Sequence, residues 1–145
     1  MTSTAAAPTD VALFPITTHY YQYDQQGVVF NMWYLAFIED ARNAYFARCG
    51  YALDRLVAEG HDIQVVSIDL NWTAAVRYGD EVWVQVSTER VGTTSITLSY
   101  EVIGGNRTCA RGSSTYVVVD GAITGKAPVP DAMREALTSP VRPRG

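Results

Sequence analysis

The sequence predicts an α+β fold, a curved antiparallel sheet wrapped around one long central helix, and three observations lead there. The first half of the stretch 31–49 carries Met32-Trp33-Tyr34-Leu35-Ala36-Phe37-Ile38, apolar on every face, as expected of a helix enclosed by other structure. Within residues 63–119, Val82, Val84 and Val86 alternate with Trp83, Gln85 and Ser87, and Ile96, Leu98, Tyr100 and Val102 alternate with Thr97, Ser99 and Glu101. That period of two marks half-buried antiparallel strands. A further strand-like stretch precedes the helix, so a single sheet has a single helix to cover one face. With 145 residues, 48% of them hydrophobic, the chain is long enough for one domain with a real core.

Taken in order, residues 1–12 are small and polar and are expected to be a disordered tail, with one domain at 13–138 and a second loose tail at 139–145. Residues 16–23, rich in threonine and tyrosine, read as the first strand. The loop 24–30 follows, then the helix 31–49, whose polar face comes from Glu39, Asp40, Arg42 and Asn43, with Gly50 as its stop. A short helix over 52–59 ends at Gly60. About four strands fill 63–119, separated by the turns Gly92-Thr93 and Gly104-Gly105-Asn106 and closed by Asp120-Gly121. Pro128 and Pro130 break the chain, and Asp131 is placed to cap a last helix running to Leu137. No internal repeat and no linker divides the sequence.

Charge and cysteine usage exclude several function classes. A net charge of -4 argues against non-specific binding to nucleic acid or to an anionic membrane. Two cysteines, Cys49 and Cys109, are too few for a disulfide framework and fit a reducing compartment. Residues 1–10 lack the basic and apolar regions of a secretory signal, and no window approaches a membrane span. A soluble, cytoplasmic protein is expected.

Asp24 is the residue that points to chemistry. It opens Asp24-Gln25-Gln26-Gly27-Val28-Val29-Phe30, a glycine-containing loop leading into the buried helix. Charges are seldom set beside buried apolar segments unless paired or used. The adjoining helix N-terminus offers unpaired N–H groups and a positive dipole end. Carboxylate and amides together form the two parts of an acyl-transfer site, nucleophile or base and oxyanion hole. The alternative is a turn aspartate satisfied by backbone N–H groups. Elsewhere, His19 and His61 with two distant cysteines make no metal constellation, and Gly112-Ser113-Ser114 lacks the flanking glycine of a nucleophile elbow.

The loop, followed by Tyr34, Phe37 and Glu39 on the helix, resembles the signature of hotdog-fold acyl-CoA thioesterases of the 4-hydroxybenzoyl-CoA thioesterase type. Tyr78-Gly79-Asp80-Glu81, residues 92–100 and Val117-Val118-Val119-Asp120-Gly121 fit as well, so the resemblance runs over about 19–137. It implies a hotdog fold, with Asp24 as catalytic nucleophile or general base and the backbone N–H of Asn31 polarising the thioester carbonyl. Glu39 is a second candidate carboxylate, since some relatives use a helix glutamate; the other reading pairs it with Arg42. Gly27, Val28, Val29, Phe30, Met32, Trp33 and Tyr34 are expected to line the substrate site. Among the basic residues near strand ends (Arg77, Arg90, Arg107, Arg111 and Lys126), Arg90, Arg107 and Arg111 are expected to meet the CoA phosphates. The resemblance further implies an acyl-CoA or acyl-carrier-protein thioester as substrate, no cofactor, no metal, and a homodimer or homotetramer. Exposed sheet edges call for such pairing on their own account. The chain departs from the family at Gln22, where many relatives have a second acid, at Asn31, where histidine or tyrosine is common, and at Trp33, where asparagine is common. Aryl and medium-chain acyl groups both remain open, and the alternative to an enzyme is a non-catalytic acyl-CoA-binding module of the same fold.

Overall fold

Alternation is carried into structure most fully in the middle of the chain. In the computed structural model, which describes residues 12–139, β4 (Ser95–Gly104) buries every second residue along its whole length, and β3 (Val82–Val91) buries Val82, Val84 and Val86. These two pair antiparallel, and β5 (Arg107–Asp120) pairs with β4. The outer positions go to β1 (Ala12–Ile16) beside β3 and to β2 (His61–Trp72) beside β5, giving a five-stranded sheet of order β1-β3-β4-β5-β2. All four pairings are antiparallel.

One face of the sheet is closed by α1 (Trp33–Cys49), which buries Tyr34, Phe37, Ile38, Ala41, Arg42, Tyr45, Phe46 and Cys49. The helix stops where glycine allows it. Gly50 adopts φ 101°, a left-handed conformation that costs glycine nothing. Its N–H donates to the Ala47 carbonyl at 3.1 Å, and the Tyr51 N–H donates to that of Phe46 at 3.0 Å. A short α2 (Leu53–Ala58) and α3 (Asp131–Thr138) close the ends of the core with Leu56, Met133 and Leu137. This is the hotdog architecture expected from the sequence.

Several boundaries differ from expectation. The first strand occupies Ala12–Ile16 rather than 16–23. Residues 12–16 find partners in Val82–Val86, whereas the tyrosine-rich stretch after them turns as a 3-10 segment at Tyr20–Gln22, its strand propensity overridden for want of a partner. Pro15 is tolerated because β1 is an edge. The long helix begins at Trp33 instead of 31, because Trp33, Tyr34 and Leu35 donate to the carbonyls of Phe30, Asn31 and Met32, three residues back, as a tight first turn. α2 is one residue shorter at each end than 52–59. Pro130, not Asp131, caps α3, and Asp131 is its first residue. Residues 1–11 and 140–145 of the expected tails lie outside the described residues, and Ala12 is fully buried in β1.

Candidate active site

The loop around Asp24 is shaped by main-chain bonds. The Asp24 N–H donates to the Val28 carbonyl at 2.9 Å and the Gly27 N–H to the Asp24 carbonyl at 3.0 Å, with Gly27 at φ 74°. The carboxylate joins this turn through one oxygen only. Oδ1 accepts from the Gln26 N–H at 2.8 Å and from the Val28 N–H at 3.4 Å, while Oδ2 accepts from no group among the described residues. Asp24 is exposed. It lines a cleft of about 260 Å³ with Tyr20, Tyr23, Gln25, Gly27 and Tyr78. The Tyr78 ring stands edge-on to Tyr20 at 6.2 Å and to Tyr23 at 5.2 Å, a preferred aromatic geometry.

Seven residues after Asp24 the same segment reaches the helix start. Asn31 and Met32 form the turn before α1, and among the described residues no group accepts from their N–H groups. Unspent amides at the head of a 17-residue helix carry the partial positive charge of its dipole. They border an apolar groove of about 470 Å³ lined by Phe30, Asn31, Met32, Leu35, Ile68, Leu70 and Trp72. One wall is the helix start and the other is β2. Residues 24–32 thus run from a carboxylate cleft to an apolar groove with free amides at its edge.

The remaining expected site residues fall in different places. Gly27 lines the cleft; Phe30 and Met32 line the groove and are half exposed. Val28 bridges to Arg77, and Val29 is buried in the core. Trp33 meets Tyr21 edge-on at 5.4 Å. Tyr34 is buried; its hydroxyl accepts from the Val76 N–H at 3.1 Å, and burial raises its pKa above the ordinary phenol value. Glu39 lines neither hollow and pairs with Arg42 at 2.5 Å. Arg42, almost fully buried, lies over the Tyr116 ring at 5.2 Å.

The three arginines expected for CoA separate widely. Arg107, at the start of β5, pairs with Asp80 at 2.6 Å. Arg111 lies on the sheet face turned from α1, since its partner Glu101, at 3.3 Å, alternates with the buried Tyr100 and Val102. Arg90 is exposed near the far end of β3, about 26 Å along the strand from Val82, where β1 ends.

Two groups of site residues lie beyond what the sequence alone predicts. Tyr20, Tyr23 and Tyr78 meet around Asp24 although Tyr78 is far away in the chain; the run Tyr20-Tyr21-Gln22-Tyr23 is visible in the sequence but reads there as strand. Ile68, Leu70 and Trp72 share one face of β2 by simple alternation, a signal that is present, but only the fold sets that face against the helix start.

Residues 26–110, more than half of the chain, match the model of the Thioesterase superfamily; the match begins two residues after Asp24. No curated protein matches the chain. Among solved structures, a hypothetical protein from Thermus thermophilus, TT1821, is 26% identical with a TM-score of 0.81, covering 88% of this chain and 97% of its own. A thioesterase from Thermus thermophilus, complexed with coenzyme A and Zn, is 27% identical with a TM-score of 0.75, covering 89% and 92%. A DHNA-CoA thioesterase from Staphylococcus aureus shares the fold at 19% identity, with a TM-score of 0.78 and 87% of each chain covered. Among the described residues of this chain no group of three His, Cys, Asp or Glu is placed to hold a metal ion.

Proposed function

The chain belongs to the Thioesterase superfamily, and from that premise we propose that it hydrolyses an acyl-CoA thioester, with Asp24 supplying the carboxylate and Asn31 and Met32 the oxyanion hole. The observation that carries this reading is the segment 24–32, which among the described residues has a carboxylate oxygen without a partner at one end and two unspent helix-start amides at the other. Attack on a thioester carbonyl places negative charge on its oxygen. Preorganised N–H groups stabilise that charge, and loss of one such donor costs about 3 kcal/mol of barrier. Asp24 Oδ2 either attacks the carbonyl carbon, expelling the thiolate to leave a mixed anhydride that water opens, or takes a proton from the attacking water. Both routes convert thioester and water into a carboxylic acid and a thiol.

The groove between α1 and β2 receives the acyl group in this reading. Its lining is apolar except for Asn31, suited to an aryl or medium-chain acyl group. Coenzyme A bound to the Thermus thermophilus thioesterase supports CoA as the thiol. Arg90, at the far end of β3, and Arg111, on the sheet face turned from α1, are assigned to phosphates held across a subunit boundary. That boundary is β2, an edge strand of 12 residues with Val65, Val66 and Ile68 exposed. Such an edge is a template for a second copy, so the working unit is at least a homodimer, and two dimers make the tetramer. Gel filtration at micromolar concentration checks this, and a monomer there refutes it.

The deciding experiment is thiol release from a panel of aryl, short-chain and long-chain acyl-CoAs. Turnover by the native protein that disappears in Asp24→Asn is the expected result. No turnover of any CoA ester overturns the acyl-CoA assignment, and release of an acyl group from a carrier protein in the same assay would replace it.

A further inference from the structure

The Asp24 loop and the start of α1 are braced by the same short strip of chain. The Tyr78 N–H donates to the Gly27 carbonyl at 2.8 Å, the Val29 N–H donates to the Val76 carbonyl at 2.9 Å, and Val28 forms a bridge with Arg77. On its other side, the Val76 N–H donates to the Tyr34 hydroxyl in the first turn of the helix at 3.1 Å. Residues 76–78 therefore tie the Asp24 turn to the first turn of the helix. Nothing in their own sequence makes them rigid, because they belong to the connection between β2 and β3.

Beyond the burial of Val76, the strip is tied by one carboxylate and one guanidinium. Asp80 Oδ2 accepts from the Arg77 N–H at 2.8 Å and from Arg107 Nη2 at 2.6 Å. The same Arg107 nitrogen donates to the Ala75 carbonyl at 3.0 Å. The strip is thus gripped immediately before Val76 and at Arg77, from the β4–β5 turn. Gly79 turns back at φ 93° between them, and the Asp80 N–H donates to the Arg77 carbonyl at 3.0 Å. Partial burial pushes the Asp80 carboxyl up, but the Arg77 N–H and the Arg107 guanidinium outweigh it and hold the acid below its usual range. The pair is charged at neutral pH. Charge-assisted bonds of this kind are shorter and stronger than neutral ones.

We propose that Asp80 and Arg107 are positioning residues for the thioesterase site, holding strip 76–78 so that Asp24 and the helix-start amides keep their spacing. The proposal rests on the acyl-CoA hydrolase reading and gives Arg107 a part other than binding CoA phosphates. Neither side chain needs to touch substrate. Their effect passes through main-chain bonds to the Asp24 turn, and a displacement of about 1 Å in such geometry can cost on the order of 100-fold in rate.

The test compares Arg107→Met, Asp80→Asn, their double variant and Arg107→Lys with the native protein, in kinetics and in amide hydrogen exchange. Arg55→Ala, which breaks a surface ion pair with Glu59, is the control. Positioning predicts kcat lower by roughly 10- to 100-fold in each single variant with KM within about threefold. The double variant falls no further than the worse single one, since the residues act as a unit. Arg107→Lys keeps a charge and a donor and recovers part of the rate. The Val29 and Tyr78 amides, which cross the strip, exchange faster in the impaired variants, while the Leu98 amide in β4 keeps its protection. A raised KM with unchanged kcat in Arg107→Met alone would make Arg107 a CoA ligand and overturn the proposal. So would unchanged exchange at Val29 and Tyr78. A native protein that turns over no thioester instead refutes the hydrolase reading, and exchange then still decides whether the pair braces the strip.

Discussion

Among the described glycines Gly112 has the least room for a side chain, and replacing it with alanine gives a quantitative test of how β2 is seated. The residue lies in β5 opposite Leu70 of β2. A Cβ there would stand 1.8 Å from the Asp69 carbonyl oxygen and 2.9 Å from Leu70 Cδ2. An ordinary carbon–oxygen contact is above 3 Å or so, so the two groups must part by more than about 1 Å. The oxygen is main chain and cannot rotate aside, so β2 as a whole has to retreat from β5. Two ladder hydrogen bonds weakened at about 1 kcal/mol each, with about 1 kcal/mol of overpacking strain, give roughly 3 kcal/mol. For a chain of this length that corresponds to a fall in Tm of about 10 °C. Calorimetry reads the shift, and Gly92→Ala is the control, because a Cβ at Gly92 meets the movable Ser95 Oγ at 2.8 Å. The consequence reaches the site as well. Ile68, Leu70 and Trp72 form one wall of the groove, so Gly112→Ala should raise KM even below its melting range. A Tm within about 2 °C of the native value would refute the reasoning, since a clash of that size cannot be absorbed without loss.

Three further outcomes are expected. Asp24→Asn retains an oxygen able to accept from Gln26 and Val28, so its Tm should match the native one while turnover falls by about 1000-fold; Asp24→Ala, which forfeits those bonds, should lose about 1 kcal/mol of stability as well. Thermal unfolding and thiol release together separate the turn role from the chemical one, and equal turnover in Asp24→Asn and the native protein would end the assignment of Asp24. Val66→Lys places a charge on the exposed edge strand and should convert the proposed dimer to a folded monomer, read by gel filtration and circular dichroism. In alkali, burial pushes the Tyr45 phenol up to about 12, and burial together with the Glu59 carboxylate does the same for Tyr51. A phenol raised in the folded state stabilises the fold below its unfolded value of 10.0, and this contribution is lost as pH rises through about 12. Tyrosinate absorbance should therefore show a fraction titrating only with unfolding, and a single transition near the unfolded value would contradict it.

The parts of this architecture legible in the sequence are those encoded by neighbours a few residues apart. Val82, Val84 and Val86, and Ile96 through Val102, announce their strands because alternation is local, and Gly50 announces the helix end because only glycine is at ease at that φ. The first strand is hard to place because threonine and tyrosine at 17–23 have strand propensity, while pairing with Val82–Val86 selects Ala12–Ile16 instead. The same division runs through the candidate site. Asp24, Gly27 and the helix start lie within nine residues and can be read together. Tyr78 beside Tyr23, Ile68 beside the helix start and Arg107 on Asp80 are contacts between distant stretches, and no local pattern records them. Arg107 shows the limit well: in the sequence it is one more basic residue near a turn, where the fold provides Asp80 and the Ala75 carbonyl.

The brace on strip 76–78 also has a bearing on biosynthesis. The strip that holds the Asp24 turn follows it by about 50 residues, and the guanidinium that grips the strip comes only at position 107. Between those two points a nascent chain carries the Asp24 carboxylate without the bonds that grip the strip behind its turn. β4 and the turn into β5 must emerge before the loop is held, so a polypeptide released short of that point keeps every residue of the 24–32 segment and has no organised site.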